Sequence, residues 1–428
     1  MKTKNMPKIL LALSFLLLLS CSKTEENTPI INISSLELTT SSPDQLLVVN
    51  ELIDFILTGD DGNSYTNVAT FYVNQTAITG SSITFVDEGS VDVYASYGGI
   101  NSNVLNFEVI NATTNTLLLS KNKVLRNQEM TFSLVDPQGT DVSSTATFYV
   151  DNAAISGNTY SSSSVGMIEV YAEYDVAGTL TQTDVKPFEI YIPKRKVVLE
   201  DYTGAWCGYC PAVAAAAISA HAVTDDIAIV AVHETSFSFP DPMHFEEVQT
   251  LKDAFDIDGL PAARINRTTN WSDPYPTAGI ISMAGEDTDV AIAIDSQLNG
   301  TDLTVSVKVI SENELAGNNK LVVYLLEDGI LHDQINYYND DPTSPYYQLG
   351  NPIPNFEHNE VLRMSLTSVL GDNITATSAL NEYTRSFNVS ISGDYVTENL
   401  SLVAMLVSSD NSAKNAQFSH IGENKNYE

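Results

Sequence analysis

The chain has 428 residues, of which 43% are hydrophobic and 17% are charged. This length exceeds one ordinary hydrophobic core and predicts about three domains or slightly more, and the composition is that of folded domains rather than of long disordered segments. Because 54 acidic residues face 20 basic ones, for a net charge of −34, the surface repels phosphate backbones and we predict no nucleic-acid partner.

The N-terminus carries a secretion signal in its pattern. Three lysines precede an apolar stretch from Ile9 to Leu19, which is typical of a signal peptide and too short for a spanning helix of about 20 residues. The following L-L-S-C resembles a bacterial lipobox, and this implies a signal peptide at 1–20 and lipidation of Cys21. Residues 21–33 would then be the lipid anchor and tether. A secreted protein cut elsewhere is the alternative.

The lipobox also implies a location. Ser22 after the modified cysteine is similar to the pattern of outer-membrane rather than inner-membrane lipoproteins. We therefore expect an outer-membrane lipoprotein, facing either the periplasm or the cell surface, whose membrane contact is made through the N-terminal lipid.

A tandem repeat follows, with copies at 34–111 and 112–193. ATFYVNQTAITG in the first copy aligns without a gap with ATFYVDNAAISG in the second, and Phe71 and Phe148 are 77 residues apart. Short alternating strands between turn residues predict an antiparallel sandwich in each copy.

The copies resemble bacterial immunoglobulin-like domains, an architecture that does not define a function. Two roles stay open, a spacer and a surface for adhesion or ligand binding. Asp60 and Asp61 beside Gly62 fit calcium ligands or simply an acidic turn.

From Lys194 strands and helices alternate. The predicted elements are a strand at Val197 to Tyr202, the sequence WCGYC, an alanine-rich helix at Pro211 to Val223, a strand at Ile227 to His233, an amphipathic helix at Pro242 to Ile257 and a proline-led strand ending at Arg267. The continuous apolar run of the second strand is typical of a strand buried on both faces of a sheet.

This order resembles the thioredoxin superfamily, in which CxxC lies at a strand–helix junction and a proline precedes a later strand. Together with the lipobox, the sequences TGAWCGYCP, HETSFSFPDP, GLPAARINR and HNEVLR are similar to the outer membrane protein 28-related family of thioredoxin-like lipoproteins. The resemblance covers about residues 195–428 and implies an α/β thioredoxin-like domain at 194–285.

The resemblance implies roles for five residues. Cys207 is the attacking and more exposed sulfur, Cys210 resolves the mixed disulfide, and the two form a disulfide when oxidised. Trp206 covers the pair, and Pro261 corresponds to a cis-proline that faces it. Asp201 corresponds to a buried carboxylate that helps to deprotonate the resolving thiol.

One of these roles has an alternative from the residues alone. Because Glu200 adjoins Asp201, the strand register is ambiguous, and Asp201 fits a solvated strand end equally well.

Three further positions qualify the resemblance. Leu260 stands where many thioredoxins have Thr, and Pro211 predicts that the regular helix starts near that residue. His233 ends the neighbouring strand, where a hydrogen-bonded structural role competes with copper or zinc binding together with Cys207 and Cys210. We predict no metal and no cofactor.

After residue 286 strands dominate, and we predict a C-terminal β-sandwich domain at 286–428. The polar segment from Asp340 to Glu360 reads as a large loop that either binds a partner or packs over a sheet edge. The fold class is therefore multidomain: two immunoglobulin-like sandwiches, an α/β thioredoxin-like domain and a β-sandwich.

The sequence favours a lipid-anchored extracytoplasmic protein that exchanges thiols and disulfides with partner proteins through Cys207 and Cys210. A CxxC disulfide closes too small a loop to stabilise much by chain entropy, which favours chemistry. The alternative is an adhesion or binding lipoprotein in which the thioredoxin fold is a scaffold and the disulfide stays closed.

Overall fold

The computed structural model describes residues 33, 35–40, 46–50, 52–111 and 113–428. The predicted signal peptide and the lipidation site at Cys21 lie outside these residues. Within the described ranges, none of the helices has both the length and the apolar character needed to cross a bilayer.

The first N-terminal unit is built from short strands: β1 Leu36–Thr40, β2 Leu46–Val48, β3 Leu52–Gly59, β4 Thr70–Val73, β5 Thr76–Ile78, β6 Ser82–Thr84, β7 Gly89–Tyr97, β8 Ile100–Asn101 and β9 Leu105–Ile110. They form two sheets, of order β1-β3-β6 and β2-β9-β7-β4-β5, with β8 paired to β7. Buried Phe55, Phe71 and Phe107 fill the space between the sheets.

The second unit has strands β10 Thr116–Leu119, β11 Lys123–Leu125, β12 Met130–Val135, β13 Thr147–Val150, β14 Ala153–Ala154, β15 Thr159–Tyr160, β16 Gly166–Val176, β17 Thr179–Gln182 and β18 Lys186–Tyr191, with a 3₁₀ turn at Ser143–Thr145. Its sheets have the orders β10-β12-β15 and β11-β18-β16-β13-β14, with β17 paired to β16. Strand for strand, this is the pairing of the first unit.

Side-chain packing also recurs between the two units. Tyr72 stacks on Tyr94 with ring centroids 4.7 Å apart, and Tyr149 stacks on Tyr171 at 4.8 Å. Each pair joins directly opposed residues of two antiparallel strands, where cross-strand aromatic contacts stabilise a sheet.

The remaining elements are β19 Val197–Thr203, α1 Pro211–His221, β20 Ile227–His233, α2 Val248–Ala254, β21 Ala262–Ile265, β22 Thr269–Trp271, α3 Ala278–Met283, β23 Val290–Asn299, β24 Asp302–Ser311, β25 Lys320–Glu327, β26 Ile330–Gln334, β27 Ile353–His358, β28 Val361–Ser365, β29 Asp372–Asn373, β30 Glu382–Ser390, β31 Leu400–Val407 and β32 Ala413–His420, with a 3₁₀ turn at Thr397–Asn399.

A large mixed sheet of order β22-β21-β19-β20-β28-β25-β31-β32, with β29 paired to β25, organises this region. One face packs on α2 and on part of the α2–β21 connection. The other face packs on α1 and α3 at the β19 end and on the sheet β23-β24-β30 at the β25 end. Strand alternation therefore sends neighbouring residues of β19 into two different environments.

The sheet crosses the boundary that the sequence predicts between residues 285 and 286. Parallel β20 and β28 pair at Ala231 and Val361, and the Ala231 N–H donates to the Glu360 carbonyl at 2.8 Å. The later strands thus cover the edge that β20 would otherwise leave open. The C-terminal strands pack as two facing sheets, but one of these sheets is shared with β19 and β20, so the sandwich is not a separate domain.

Strands far outnumber helices in the described residues, and α2 is shorter than the predicted helix from Pro242 to Ile257. Phe245 N–H donates back to the His233 carbonyl at 2.9 Å instead of continuing a helical ladder. Helix α1 begins at Pro211, as predicted, and strand β20 has the predicted bounds and is buried throughout.

Candidate functional site

The cysteine pair lies where β19 leads into α1. The Cys207 N–H donates to the Gly204 carbonyl at 2.9 Å and the Cys210 N–H to the Cys207 carbonyl at 3.2 Å, so the chain turns tightly. Cys210 is the N-cap of α1. Pro211 occupies the first helical position, where its missing N–H costs no hydrogen bond within the helix. The two cysteines form a disulfide with Cα atoms 5.4 Å apart.

The two cysteines line two different spaces. Cys207 lines an open groove of about 450 Å³. Cys210 lines a separate narrow cavity of about 60 Å³, which shares no lining residue with the groove and is large enough for a few water molecules. Both residues are largely buried, with 5% of Cys207 and 1% of Cys210 exposed.

Aromatic side chains form the groove on the Cys207 side. Its lining consists of Trp206, Cys207, Gly208, Tyr209, Ser236, Phe237, Ser238, Phe239, Leu260 and Tyr337, none of which is an acidic or basic residue. Phe237 is fully exposed, and Tyr209, Phe239 and Tyr337 are each more than half exposed. Because large exposed apolar groups gathered in one place mark binding surfaces, this groove is a candidate contact site.

Besides Cys207, the predicted site residue Trp206 lines this groove, and the predicted Pro261 follows a residue that lines it. Trp206 lines it beside Cys207, and its indole Nε1–H donates to the Glu234 carbonyl at 2.6 Å, which fixes the ring. The Leu260–Pro261 peptide bond is cis, and Leu260 also lines the groove. The structure thus places Trp206 and the Leu260–Pro261 step near Cys207.

A segment from the C-terminal region covers the cysteine loop. Tyr337 N–H donates to the Gly208 carbonyl and Ile335 N–H to the Ala205 carbonyl, both at 2.9 Å. Gln334 Nε2 donates to the Cys207 carbonyl at 3.0 Å. A Cβ on Gly208 would lie 2.5 Å from the Tyr337 ring, so only glycine admits this contact.

Asp201 lies on the Cys210 side. It is 4% exposed, it lines the small cavity together with Cys210, and its Oδ1 has no hydrogen-bond partner among the described residues. Burial, with the nearby Glu360 carboxylate as second cause, raises the pKa of Asp201 to about 8. The carboxyl is therefore poised to exchange a proton near neutral pH. The structure rules out the alternative of a solvated strand end.

Glu200, the preceding residue, faces the other side of the sheet, where each of its carboxylate oxygens accepts a hydrogen bond. Its Oε1 accepts from Arg267 Nε at 3.2 Å and its Oε2 from the Tyr202 hydroxyl at 3.0 Å. Arg267 Nη2 also donates to the Tyr324 hydroxyl at 3.0 Å and to the Val369 carbonyl at 3.1 Å. Glu200 and Arg267 are both completely buried, which makes them a structural ion pair.

His233 is held by hydrogen bonding. Its Nδ1 lies 3.0 Å from Asp241 Oδ2, which also accepts from the Ala205 N–H at 2.7 Å. Burial raises the pKa of Asp241, but the hydrogen bonds from His233, Ala205 and Met243 outweigh it and hold the pKa below its usual value. Within the described residues, no group of three or more potential ligands is arranged to hold a metal ion.

His358 packs edge-on against His233, with ring centroids 5.2 Å apart, and lines the Cys210 cavity. Burial, reinforced by His233, lowers the pKa of His358 to about 4, so the ring is neutral at physiological pH. Its Nε2 is buried and finds no hydrogen-bond partner in the described part of the chain.

Sequence reasoning missed the contributions from beyond residue 286. Gln334 and Tyr337 cover the cysteine loop, while His358 and Glu360 line the Cys210 cavity. The one available signal was the HNEVLR stretch, since it contains both cavity residues. Its spacing from the cysteines gives no indication that the two segments meet.

Each match to a known family or structure covers only part of the chain. The family described as Outer membrane protein Omp28 matches residues 248–425, which begins after the cysteine pair. That family consists of outer membrane proteins, in agreement with an outer-membrane location. None of the curated proteins matches the chain.

Among solved structures, HBP35 of Porphyromonas gingivalis is 18% identical, with a TM-score of 0.42 over 54% of this chain and 77% of that one. The fibronectin(III)-like modules of Clostridium thermocellum CbhA are 19% identical, with a TM-score of 0.15 over 36% of this chain and 93% of that one. The D00-D0 domain of intimin is 12% identical, with a TM-score of 0.15 over 36% of this chain and 98% of that one.

Proposed function

We propose that this chain is a lipid-anchored outer-membrane protein with a thioredoxin-like domain at 194–285, which exchanges thiols and disulfides with partner polypeptides through Cys207 and Cys210. The observation that carries the proposal is that the two cysteines line two different spaces. Cys207 lines an open aromatic groove, whereas Cys210 lines a small cavity with an unpaired, buried carboxyl group.

The location of the pair supports an activated thiolate on reduction. Cys210 caps the N-terminus of α1 and Cys207 lies in the turn just before it. The positive end of a helix macrodipole stabilises a nearby thiolate and lowers its pKa. Among the described residues no basic side chain lines the groove, so the helix end is the group that favours the charged form there.

The reaction follows from this placement. In the reducing direction the Cys207 thiolate attacks a sulfur of the partner's disulfide; a mixed disulfide forms and the other partner sulfur leaves as a thiolate. The Cys210 thiol then gives its proton to Asp201 and attacks Cys207 Sγ. The internal disulfide forms, the mixed disulfide breaks, and the partner has gained two electrons.

The groove supports an extended apolar segment as the partner. Its walls carry Phe237, Phe239, Tyr209 and Tyr337 without a charged side chain, and the chain as a whole carries −34. Aromatic walls favour apolar side chains next to the reacting cysteine, whereas the overall charge disfavours acidic segments.

A trapping experiment tests the proposal in the full chain with Cys21→Ser, which removes the third thiol. The Cys210→Ser variant, once reduced, is mixed with a synthetic peptide whose single cysteine is bonded to glutathione. We expect Cys207 to expel glutathione and retain the peptide covalently, faster when phenylalanines flank the peptide cysteine than when aspartates do.

The matched control is Cys207→Ser, in which only the buried Cys210 remains and we expect at least tenfold slower capture. If both variants captured the peptide equally slowly, at the rate of the same thiol in the unfolded chain, the proposal of thiol exchange would be wrong. Intact protein mass identifies the covalent species.

A second candidate function has its own observation. The disulfide is nearly buried, and the Gln334–Tyr337 segment is bonded over it. This cover favours a permanently closed bridge in a protein that binds or adheres through its other surfaces. In that case the two cysteine variants capture the peptide equally slowly.

A further inference from the structure

The Cys210 cavity is completed by a segment that lies far beyond the cysteines in the chain. Phe356, Glu357, His358, Asn359 and Glu360 form one wall, opposite Asp201 and the start of α1. The Ala231 N–H of β20 donates to the Glu360 carbonyl at 2.8 Å, and the Glu360 N–H donates to Asp328 Oδ1, just after β25, at 2.6 Å. These two bonds hold the segment beside both strands.

Glu360 lines two neighbouring cavities. It lines the Cys210 cavity and also a second, larger cavity of about 250 Å³ between Ile227–Ile229, Leu326, Asp328 and Phe418. Ile229, the other residue common to both cavities, is apolar. Glu360 is therefore the ionisable group shared by the two spaces.

Two buried polar atoms in the first cavity lack partners. Asp201 Oδ1 and His358 Nε2 are buried and have no hydrogen-bond partner among the residues that the structure describes. Unpaired buried polar atoms are costly unless a ligand, water or chemical step uses them. A proton that moves between Cys210, Asp201 and Glu360 through cavity water is such a use.

On the basis of the proposed function, we infer that Glu360 is the second carboxylate of a proton-exchange pair with Asp201, which takes the proton of Cys210 and passes it towards the larger cavity. Glu360 is a positioning residue in this scheme, since it acts on the sulfur through Asp201. The C-terminal region thereby becomes part of the redox site.

The electrostatics agree with this geometry. Burial, with Asp328 as second cause, raises the pKa of Glu360 to about 7, and Glu360 in turn raises the pKa of Asp201. Two coupled carboxyls of this kind share a proton near neutral pH. The other ionisable groups that face them or act on them are His221, His233, Asp241, Tyr275, Asp328, His332, Tyr346, Glu357, His358 and His420.

The test isolates the step in which Cys210 attacks. The reduced full chain with Cys21→Ser is mixed with one equivalent of 5,5′-dithiobis-(2-nitrobenzoate). Cys207 releases the first nitrothiobenzoate and Cys210 the second, and the rate of the second release is followed by absorbance as a function of pH.

We expect Glu360→Gln to move the pH midpoint of the second release towards acid by about one pH unit, because Asp201 loses a like charge beside it. We expect Asp201→Asn to slow this release by about 100-fold at pH 7, since the proton acceptor is gone. Glu360→Asp keeps the charge and should retain a midpoint close to the parent's.

The control Glu129→Gln removes one charge from an exposed loop between β11 and β12 of the second N-terminal unit and should leave the midpoint unchanged. An unchanged midpoint in a folded Glu360→Gln variant would overturn the role of Glu360 while leaving thiol exchange intact. Absence of a second release in every variant would instead contradict the proposed function itself.

Discussion

The two faces of β19 treat neighbouring carboxylates in opposite ways. On one face, Glu200 is neutralised by Arg267 and the Tyr202 hydroxyl in a fully buried cluster. On the other, Asp201 is just as deeply buried, but no ion pair to it occurs in the described part of the chain, and a further carboxylate lies near it. Burial alone therefore does not decide whether a carboxyl group is charged; its partner does.

The difference follows from which elements pack on each face. Arg267 follows β21 and reaches back under the sheet towards Tyr324 of β25, where it also lies 5.1 Å from the ring centroid of Phe255. The Asp201 face receives α1, and the α1 residues that line the cavity beside Asp201 are the uncharged Pro211, Ala214, Ala217 and Ile218. A charge left without a partner in such surroundings takes up a proton instead.

Of the substitutions that test the difference between the two faces of β19, Arg267→Met should have the largest effect on stability. It leaves Glu200 buried without its cation, and we expect a loss of about 3–5 kcal/mol in the free energy of unfolding of this region. Tryptophan fluorescence during urea unfolding reports on this region alone, since both tryptophans, Trp206 and Trp271, lie in it.

The control for that substitution is the double variant Glu200→Gln/Arg267→Met. We expect it to recover much of the lost stability, because no uncompensated charge remains buried. If the single and double variants were equally destabilised, the effect would come from lost packing and not from the charge of Glu200.

An intermediate effect is expected from Asp201→Asn on the pH dependence of stability in the oxidised protein. Because folding raises the pKa of Asp201 from 3.8 to about 8, the folded state holds a proton that the unfolded state releases. Stability from this group is full below about pH 4 and falls as pH rises to about 8. The variant should flatten this part of the profile, measured by urea midpoints across that range.

Glu200→Gln provides the comparison for the pH experiment. We expect it to leave the decline between about pH 4 and pH 8 in place. If the wild-type profile had the same pH dependence as that of Asp201→Asn, Asp201 would be ionised in the folded protein.

The smallest effect is expected from Tyr324→Phe, which sharpens the description of the Glu200 face. The hydroxyl accepts from Arg267 Nη2 and donates to the Val369 carbonyl at 2.6 Å. Its removal should cost about 1–3 kcal/mol in the same urea experiment. Tyr209→Phe, at an exposed site, should change stability by less than about 0.5 kcal/mol.

Local patterns in the sequence predicted the elements that carry the cysteines. The apolar run of β20 and the start of α1 at Pro211 agree with the structure, because each depends on residues adjacent in the chain. The partition of Glu200 and Asp201 between two faces was not predictable, since alternation fixes opposite directions but not which direction meets a cation.

Long-range pairing accounts for what the sequence did not reveal. Glu360 reaches the Cys210 cavity because β28 pairs beside β20, and Tyr337 reaches Gly208 through one backbone hydrogen bond. Neither contact has a spacing rule in one sequence. For the same reason, the C-terminal β-sandwich that the strand content predicts as a separate domain instead shares a sheet with β19 and β20.

The central claim is that Cys207 and Cys210 are a working redox pair on the uncompensated side of β19. The most direct measurement is their reduction potential in the full chain with Cys21→Ser, equilibrated against glutathione buffers with trapping of free thiols. We predict a value between about −120 and −270 mV, the span of working oxidoreductases. A value below about −300 mV, as in structural disulfides, would contradict the account.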